Sequence, residues 1–245
     1  MKVIVMPSWS IHCAIAKKVM KDLDIDANTF LFGNIIADVD DEINYYGSYA
    51  THYYGVVNST SCPSEELPDI EGFYQKYKFK INDPLILGYY CHLLTDYYFN
   101  EYTYANHWLM DETGHVIGAK LKDGNELATK SLYKLLSIKR KDFAKFGRQL
   151  YDLGLTSFPV YDKEIIKHCE LLEPNFISDR DIKVMISKIY PYLEDASNSH
   201  HEYTILSEEE LYKMMDDTYQ NIINRFKELK ITKGNVMNYG KGKDL

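Results

Sequence analysis

Two polar residues stand four apart in a run that is otherwise mostly apolar, Leu85-Ile86-Leu87-Gly88-Tyr89-Tyr90-Cys91-His92-Leu93-Leu94-Thr95-Asp96. On a helix, His92 and Asp96 project from one face, one turn apart. A carboxylate buried among apolar side chains is costly unless a positive charge meets it. A divalent cation is one such charge, and imidazole with carboxylate is a usual ligand set for it. A plain His–Asp hydrogen bond inside a core is the alternative. Three more residues of these types, each with apolar or aromatic neighbours, precede the pair: His12, Asp38 and His52. Four imidazole and carboxylate ligands make one zinc-like site, and Asp96, having two oxygens, can bridge to a second ion that His12 also holds. Two ions about 3.5–4 Å apart are a usual apparatus for hydrolysing phosphate esters, because they polarise the phosphoryl group and turn bound water into hydroxide. Asp38 or Asp40 is the candidate to orient or deprotonate that water. Manganese or iron would suit such ligands as well as zinc.

The elements that must carry these residues read as helices. Asp83 is a good N-cap and Pro84 suits the first helical position, so a central helix starts there and continues toward His107. Ile11, Ile15 and Val19 form an apolar stripe on a helix that starts near Trp9, capped by Ser8 or Ser10, with His12 beside the stripe. Asn28 is read as the cap of a second helix from Thr29 to about Ala37. The acidic run Asp38-Val39-Asp40-Asp41-Glu42 follows it, at the end of the helix dipole that disfavours negative charge. Tyr45 to Tyr54 is read as a loop with a short helix or turn whose tyrosines fill core and surface, and 55–68 as a surface loop. Asp69 opens a helix to about Tyr77. Trp108 to Gly118 is read as a small hairpin turning at Thr113-Gly114. The rest is read as helices at Asn125 to Ser137, Lys141 to Leu153, Asp162 to Leu172, Asp179 to Ala196 (kinked or ended by Pro191) and Ser207 to Leu229. The last of these is headed by the capping box Ser207-Glu208-Glu209-Glu210. The expected fold is therefore all-α, one helical bundle over residues 1–230 with at most a small hairpin, followed by a flexible tail at 231–245. His107 and His115 are read chiefly as surface histidines, and His168, His200 and His201 as solvent-facing.

At 245 residues, 45% hydrophobic and 26% charged, the chain is long enough for a full core. A formal charge of −8 disfavours a nucleic-acid groove or an anionic membrane surface as partner, an argument that bears on the surface only. Cys13, Cys62, Cys91 and Cys169 form no C-x-x-C pair and read as free thiols of a reducing compartment. No apolar run reaches the length of a membrane span. A cytoplasmic protein of unspecified oligomeric state is the expectation, with a phosphate ester or a lipid head group as its small-molecule partner.

The ordered set His12, then Gly33-Asn34-Ile35-Ile36-Ala37-Asp38, then Thr51-His52-Tyr53, then His92-x-x-x-Asp96 resembles the zinc-dependent phospholipase C family, whose superfamily includes zinc nucleases that cut single strands. The resemblance covers roughly residues 9–100. In that family an Asp, a His about fourteen residues later and an H-x-x-x-D pair hold one zinc. Here His52 lies fourteen residues after Asp38. The resemblance implies an all-α bundle, a bridging role for Asp96, a second zinc shared with His12, and hydrolysis of phosphodiesters. It also has departures. Trp9 would have to become the free N-terminus, as the family's first Trp is, by cleavage after Met6-Pro7-Ser8, and no later H-x-x-x-[DE] supplies a third zinc site. One or two ions are therefore expected. Two other readings remain: a non-catalytic helical protein held by a structural metal or a His–Asp network, and an HD-type phosphohydrolase, whose adjacent His-Asp pair this chain lacks.

Overall fold

The central helix forms as its sequence dictates. In the computed structural model it runs Pro84–Asn106, with the Asp83 side chain accepting from the Leu85 and Ile86 amides and Pro84 in the first turn. Residues 7–38, 51–53, 67–129, 131–169, 172, 178–194 and 200–236 are described. Among them are eight helices: α1 (Trp9–Leu23), α2 (Ala27–Ile36), α3 (Ile70–Tyr77), α4 (Pro84–Asn106, the central helix), α5 (Leu132–Asp152), α6 (Lys163–His168), α7 (Asp179–Glu194) and α8 (Glu208–Glu228). Three short strands, β1 (Trp108–Met110), β2 (Val116–Lys120) and β3 (Glu126–Ala128), lie between α4 and α5.

The helices surround α4, whose residues from Pro84 through Asp96 are all buried. Its main neighbour is α2, and α3 and α8 pack on its other sides. Helix α1 lies against α2, α5 and α8 and also touches α4. The α2–α4 crossing is set by two glycines. A Cβ on Gly33 would come 2.0 Å from the Leu85 carbonyl oxygen, and one on Gly88 would come 2.0 Å from that of Phe30. Only hydrogen fits at either position, so the two backbones meet directly. Helix α8 starts with the full reciprocal capping box of Ser207 and Glu210.

Several expectations are corrected. The excursion after α4 is a three-stranded antiparallel sheet in the order β1-β2-β3, beyond a hairpin. The helix expected from Asn125 begins only at Leu132, because Glu126, Leu127 and Ala128 pair with Lys120, Ala119 and Gly118. Pairing with an existing strand outweighs the helix preference of Glu, Leu and Ala there. The two helices expected at 125–137 and 141–153 are replaced by one α5, capped by Ser131. Asp26, whose side chain accepts from the Thr29 amide, caps α2 instead of Asn28. Asn28 instead exchanges two hydrogen bonds with the backbone of Val160. Ser8 holds the N-cap position of α1 without capping it, and its hydroxyl donates to the Phe143 carbonyl. Ile231 is buried, so the chain still packs on the core just past α8. The flexible tail expected beyond 236 lies outside the described residues, as do most of the Tyr-rich and Ser-rich loops.

Candidate metal centre

Four separate pieces of chain bring the five predicted residues to one place. His12 comes from α1, Asp38 from the turn after α2, His52 from the Thr51–Tyr53 segment, and His92 and Asp96 from α4. His12, His52, His92 and Asp96 are 0% exposed, and Asp38 is 7% exposed. His92 Nε2 lies 3.1 Å from Asp96 Oδ2, 3.2 Å from His52 Nε2 and 3.9 Å from Asp38 Oδ1. His52 Nε2 lies 3.3 Å from Asp38 Oδ1 and 3.7 Å from Asp96 Oδ2. The other Asp96 oxygen, Oδ1, faces His12 Nε2 at 3.2 Å. The His12 ring stacks on that of His92, with centroids 4.0 Å apart.

These separations test whether an ion fits. In a tetrahedral site with bonds of 2.0–2.1 Å the donor atoms stand about 3.3–3.4 Å apart. Of the six separations among His52, His92, Asp38 and Asp96 Oδ2, the five given above bracket that value. Moreover, neither Asp96 oxygen nor either His12 nitrogen has a hydrogen-bond partner among the described residues. Buried polar atoms that approach closely without hydrogen-bonding are costly, and a shared cation removes that cost. Two overlapping groups, His12/His92/Asp96 and Asp38/His52/His92, could hold a metal ion. His92 Nδ1–H donates to the Asn34 carbonyl at 2.6 Å, so Nε2 is the only nitrogen of His92 free to ligate. The first group and the second therefore cannot both use His92. The arrangement is a three-donor group of Asp38, His52 and His92, with Asp96 Oδ2 also within 3.7 Å of His52 and His92 and Asp96 Oδ1 turned to His12.

The charges are strongly coupled. Burial opposes protonation of His92, yet Asp96 and Asp38 outweigh it and push the pKa up to about 9. Burial also opposes charge on Asp96 and Asp38. The surrounding imidazoles, His92 foremost, overcome it and hold both carboxyls below the usual carboxylate range. For His12, burial and then the neighbouring His92 charge lower the pKa. Such a cluster, two carboxylates kept ionised among histidines away from water, attracts cations. Cys13 and Cys91 stay outside it, and burial pushes both thiols up, away from the thiolate form.

Sequence reasoning missed the supports. Asn34, one turn before Asp38, fixes the His92 tautomer through its carbonyl. Thr51 Oγ1 lies 3.1 Å from His52 Nδ1, and Tyr89 on α4 donates to the Thr51 carbonyl. Asn34 acts through its main-chain carbonyl, which no residue type announces, and Thr51 and Tyr89 likewise carry no sequence signal for this role. Asp40 lies outside the described residues, as do Tyr45, Tyr46, Tyr49 and Tyr54.

The other histidines do not join. His107 is eleven residues past Asp96, about 16 Å along a helix axis. Its Nδ1–H donates to the Lys120 carbonyl at 2.9 Å and its Nε2 lies 2.8 Å from Glu210 Oε1, which also accepts from Tyr102. His107 is thus mostly buried and pinned between β2 and α8. His201, expected to face solvent, instead donates through Nε2 to Asp142 Oδ1 at 2.9 Å. His168 is half-buried, His200 is exposed, and His115 is exposed in the β1–β2 turn.

No helix of the described residues is long and apolar enough to cross a membrane. Compared with known proteins, the chain matches no family model, no curated protein and no solved structure.

Proposed function

We propose that the chain is a metal-dependent hydrolase of phosphate esters or phosphodiesters, similar in its centre to the zinc-dependent phospholipase C family. One observation supports this above the others: a buried set of two carboxylates and three imidazoles whose donor atoms approach to 3.1–3.9 Å, with no hydrogen bond to either Asp96 oxygen among the described residues. When bound, the ion (zinc, or else manganese or iron) would polarise a phosphoryl oxygen and lower the pKa of a bound water toward about 7. His52, His92 and Asp96 Oδ2 would hold it from the core side. Asp38 is the ligand with access to the surface, its side chain 10% exposed. A water could therefore reach the centre beside Asp38. Kept ionised by the neighbouring imidazoles, its carboxylate suits orientation of that water. Asp40 is the second candidate for that role. His12 with Asp96 Oδ1 would contribute two ligands to a second ion.

A second reading, a structural metal in a non-catalytic protein, has its own supporting observation. If Asp38, His52, His92 and Asp96 all ligate, a tetrahedral site is closed, and closed sites are structural. Elemental analysis of protein purified without chelating resin, followed by assay on a chromogenic phosphodiester and a phosphomonoester with zinc, manganese or iron, separates the readings. The expected result is a bound divalent ion and turnover that His92→Ala abolishes while the melting curve is kept. Bound ion without turnover, with the fold collapsing in His92→Ala, overturns the hydrolase in favour of the structural site. Absence of any bound ion overturns both.

A further inference from the structure

Phe79 is 91% exposed, the highest value among the large apolar side chains described. It sits in the turn between α3 and α4, in the run Lys76-Tyr77-Lys78-Phe79-Lys80-Ile81. The exposure is built in. Tyr77 and Ile81, two residues to either side, are buried in the core. The backbone between them is tied by Lys80 N–H to the Tyr77 carbonyl at 2.7 Å and by Asp83 N–H to the Lys80 carbonyl at 2.9 Å. A turn anchored inward at both ends must present its middle residue outward. Lys76, Lys78 and Lys80 are exposed in the same stretch, and Lys78 Nζ lies 5.4 Å over the ring. Lys76 is held by the Tyr53 hydroxyl and the Tyr53 and Tyr77 rings. No carboxylate occurs in the sequence between Glu71 and Asp83, and Glu71 is engaged by Arg225.

We propose that this turn docks the protein on an anionic lipid surface, with Phe79 entering the interface and Lys78 and Lys80 meeting the phosphates beside it. Local charge selects the partner, against the charge of the whole. The chain carries −8 and is repelled by a negative surface in general, so approach is restricted to this turn, where Lys78 and Lys80 flank Phe79 and no carboxylate stands between Glu71 and Asp83 in the sequence. Shape selects a fluid interface over a protein. Protein interfaces have an apolar, closely packed centre. A lone ring on a rigid projection, with cations beside it, instead matches the aromatic and basic pattern of interfacial anchors. The inference does not rest on the reading of the metal centre, and its test reads binding, not turnover.

The test is co-sedimentation with vesicles of phosphatidylcholine mixed with phosphatidylserine, compared with phosphatidylcholine alone, over a range of salt. The wild-type chain is expected to bind the mixed vesicles at low salt, to bind phosphatidylcholine alone much more weakly, and to release as screening shortens toward the spacing of the charges. Phe79→Ser should lower the affinity about tenfold, the loss of one buried ring. Lys78→Glu with Lys80→Glu should lower it about a hundredfold. All three side chains are exposed, so the variants should melt like the wild type, and circular dichroism checks this. Phe79→Trp supplies a second readout, a blue-shifted emission on mixed vesicles above the Trp9 and Trp108 background. No binding to mixed vesicles at low salt, equal binding to phosphatidylcholine alone, or binding unchanged by Phe79→Ser would each overturn the proposal. A Phe79→Ser effect on self-association without any vesicle binding would overturn it in favour of a protein interface.

Discussion

Asp96 and Asp142 are both fully buried carboxylates, and their surroundings differ in kind. Asp142, on α5, accepts from the Thr204, Ile205 and Leu206 amides at 2.9, 2.8 and 3.1 Å and from His201. Both its oxygens are satisfied, and what it does is clip the segment before α8 onto α5. Asp96 has three imidazoles within 3.7 Å and no hydrogen bond to either oxygen among the described residues. Burial is the same in the two places. What separates a clip from a candidate ion site is the type of donor: amides can only donate protons, whereas imidazole nitrogens can also offer lone pairs to a shared cation. His107 with Glu210 belongs with the clip, since each ring nitrogen there faces a single acceptor. Burial opposes charge on His107, but the Glu210 contact outweighs it and raises its pKa, as expected of a doubly donating ring.

The contrast breaks most decisively at the ligands. Asp96→Ala or His92→Ala should weaken zinc binding by at least about a thousandfold, well above the 10–100-fold usual for losing an outer-shell partner. Competition against a chromogenic chelator measures it. Asp142→Ala should leave zinc affinity unchanged, and if it does not, the two carboxylates are not separate in function.

Stability should show another pattern. Asp142→Ala strands two buried amides and a half-buried one, and breaking a buried charged network of this kind costs about 3–5 kcal/mol. Urea unfolding of the metal-free protein should show that loss. Asp96→Ala should also lower stability there, through the lost pairing with His92, but its loss should vanish at low pH where the carboxyl is protonated.

The effect of pH sharpens the comparison further. In the metal-free protein, His92 has a folded pKa of about 9 against an ordinary 6.5, so its contribution is complete below 6.5 and is lost as pH rises through 9. His12 is shifted the other way, so stability is lost as pH falls below 6.5 and the ring must charge. The lowered carboxyls, Asp38 and Asp96, add loss in acid below the ordinary carboxylate range. The metal-free centre should therefore be most stable near pH 6.5. Saturating zinc should remove the alkaline decline, since the ion takes the place of the His92 proton. Thermal melts with zinc and with chelator, across pH, test this, and an alkaline decline that persists with zinc would mean that His92 is not a ligand.

The smallest expected effect lies in the supports. Tyr89→Phe or Thr51→Ala should lower metal affinity about tenfold with little change in the melting temperature of the metal-free protein.

The ion-site half of this comparison was legible in the sequence, and the clip was not. His92 and Asp96 stand out because they are polar at helical spacing in an apolar run, and Asp83-Pro84 marks where that helix starts. Asp142 does not stand out. It lies in Lys139-Arg140-Lys141-Asp142-Phe143 and looks like part of a solvated helix face. Its partners are mostly backbone amides some sixty residues away, and amides carry no sequence signal. His201 read as solvent-facing for the same reason: its acceptor belongs to another element. The strand at Glu126–Ala128 was hidden because its residues favour helix and only pairing with β2 makes them a strand. Gly88 was visible as an isolated glycine within a helical pattern, a mark of close packing, but nothing in the sequence identifies Gly33 as its counterpart.

That pair of glycines bears on which ions the protein could accept. Because α2 and α4 touch main chain to main chain, the gap between Asp38 and the His92–Asp96 turn is gauged by peptide groups, which do not swell or retract as side chains do. Calcium wants six to eight oxygens at 2.3–2.6 Å, whereas the groups that could hold an ion here offer three imidazoles and two carboxylates, a donor set nearer to that of zinc. A methyl group added at 33 or 88 would spread the jaws of that gauge, and ion selectivity would register the change.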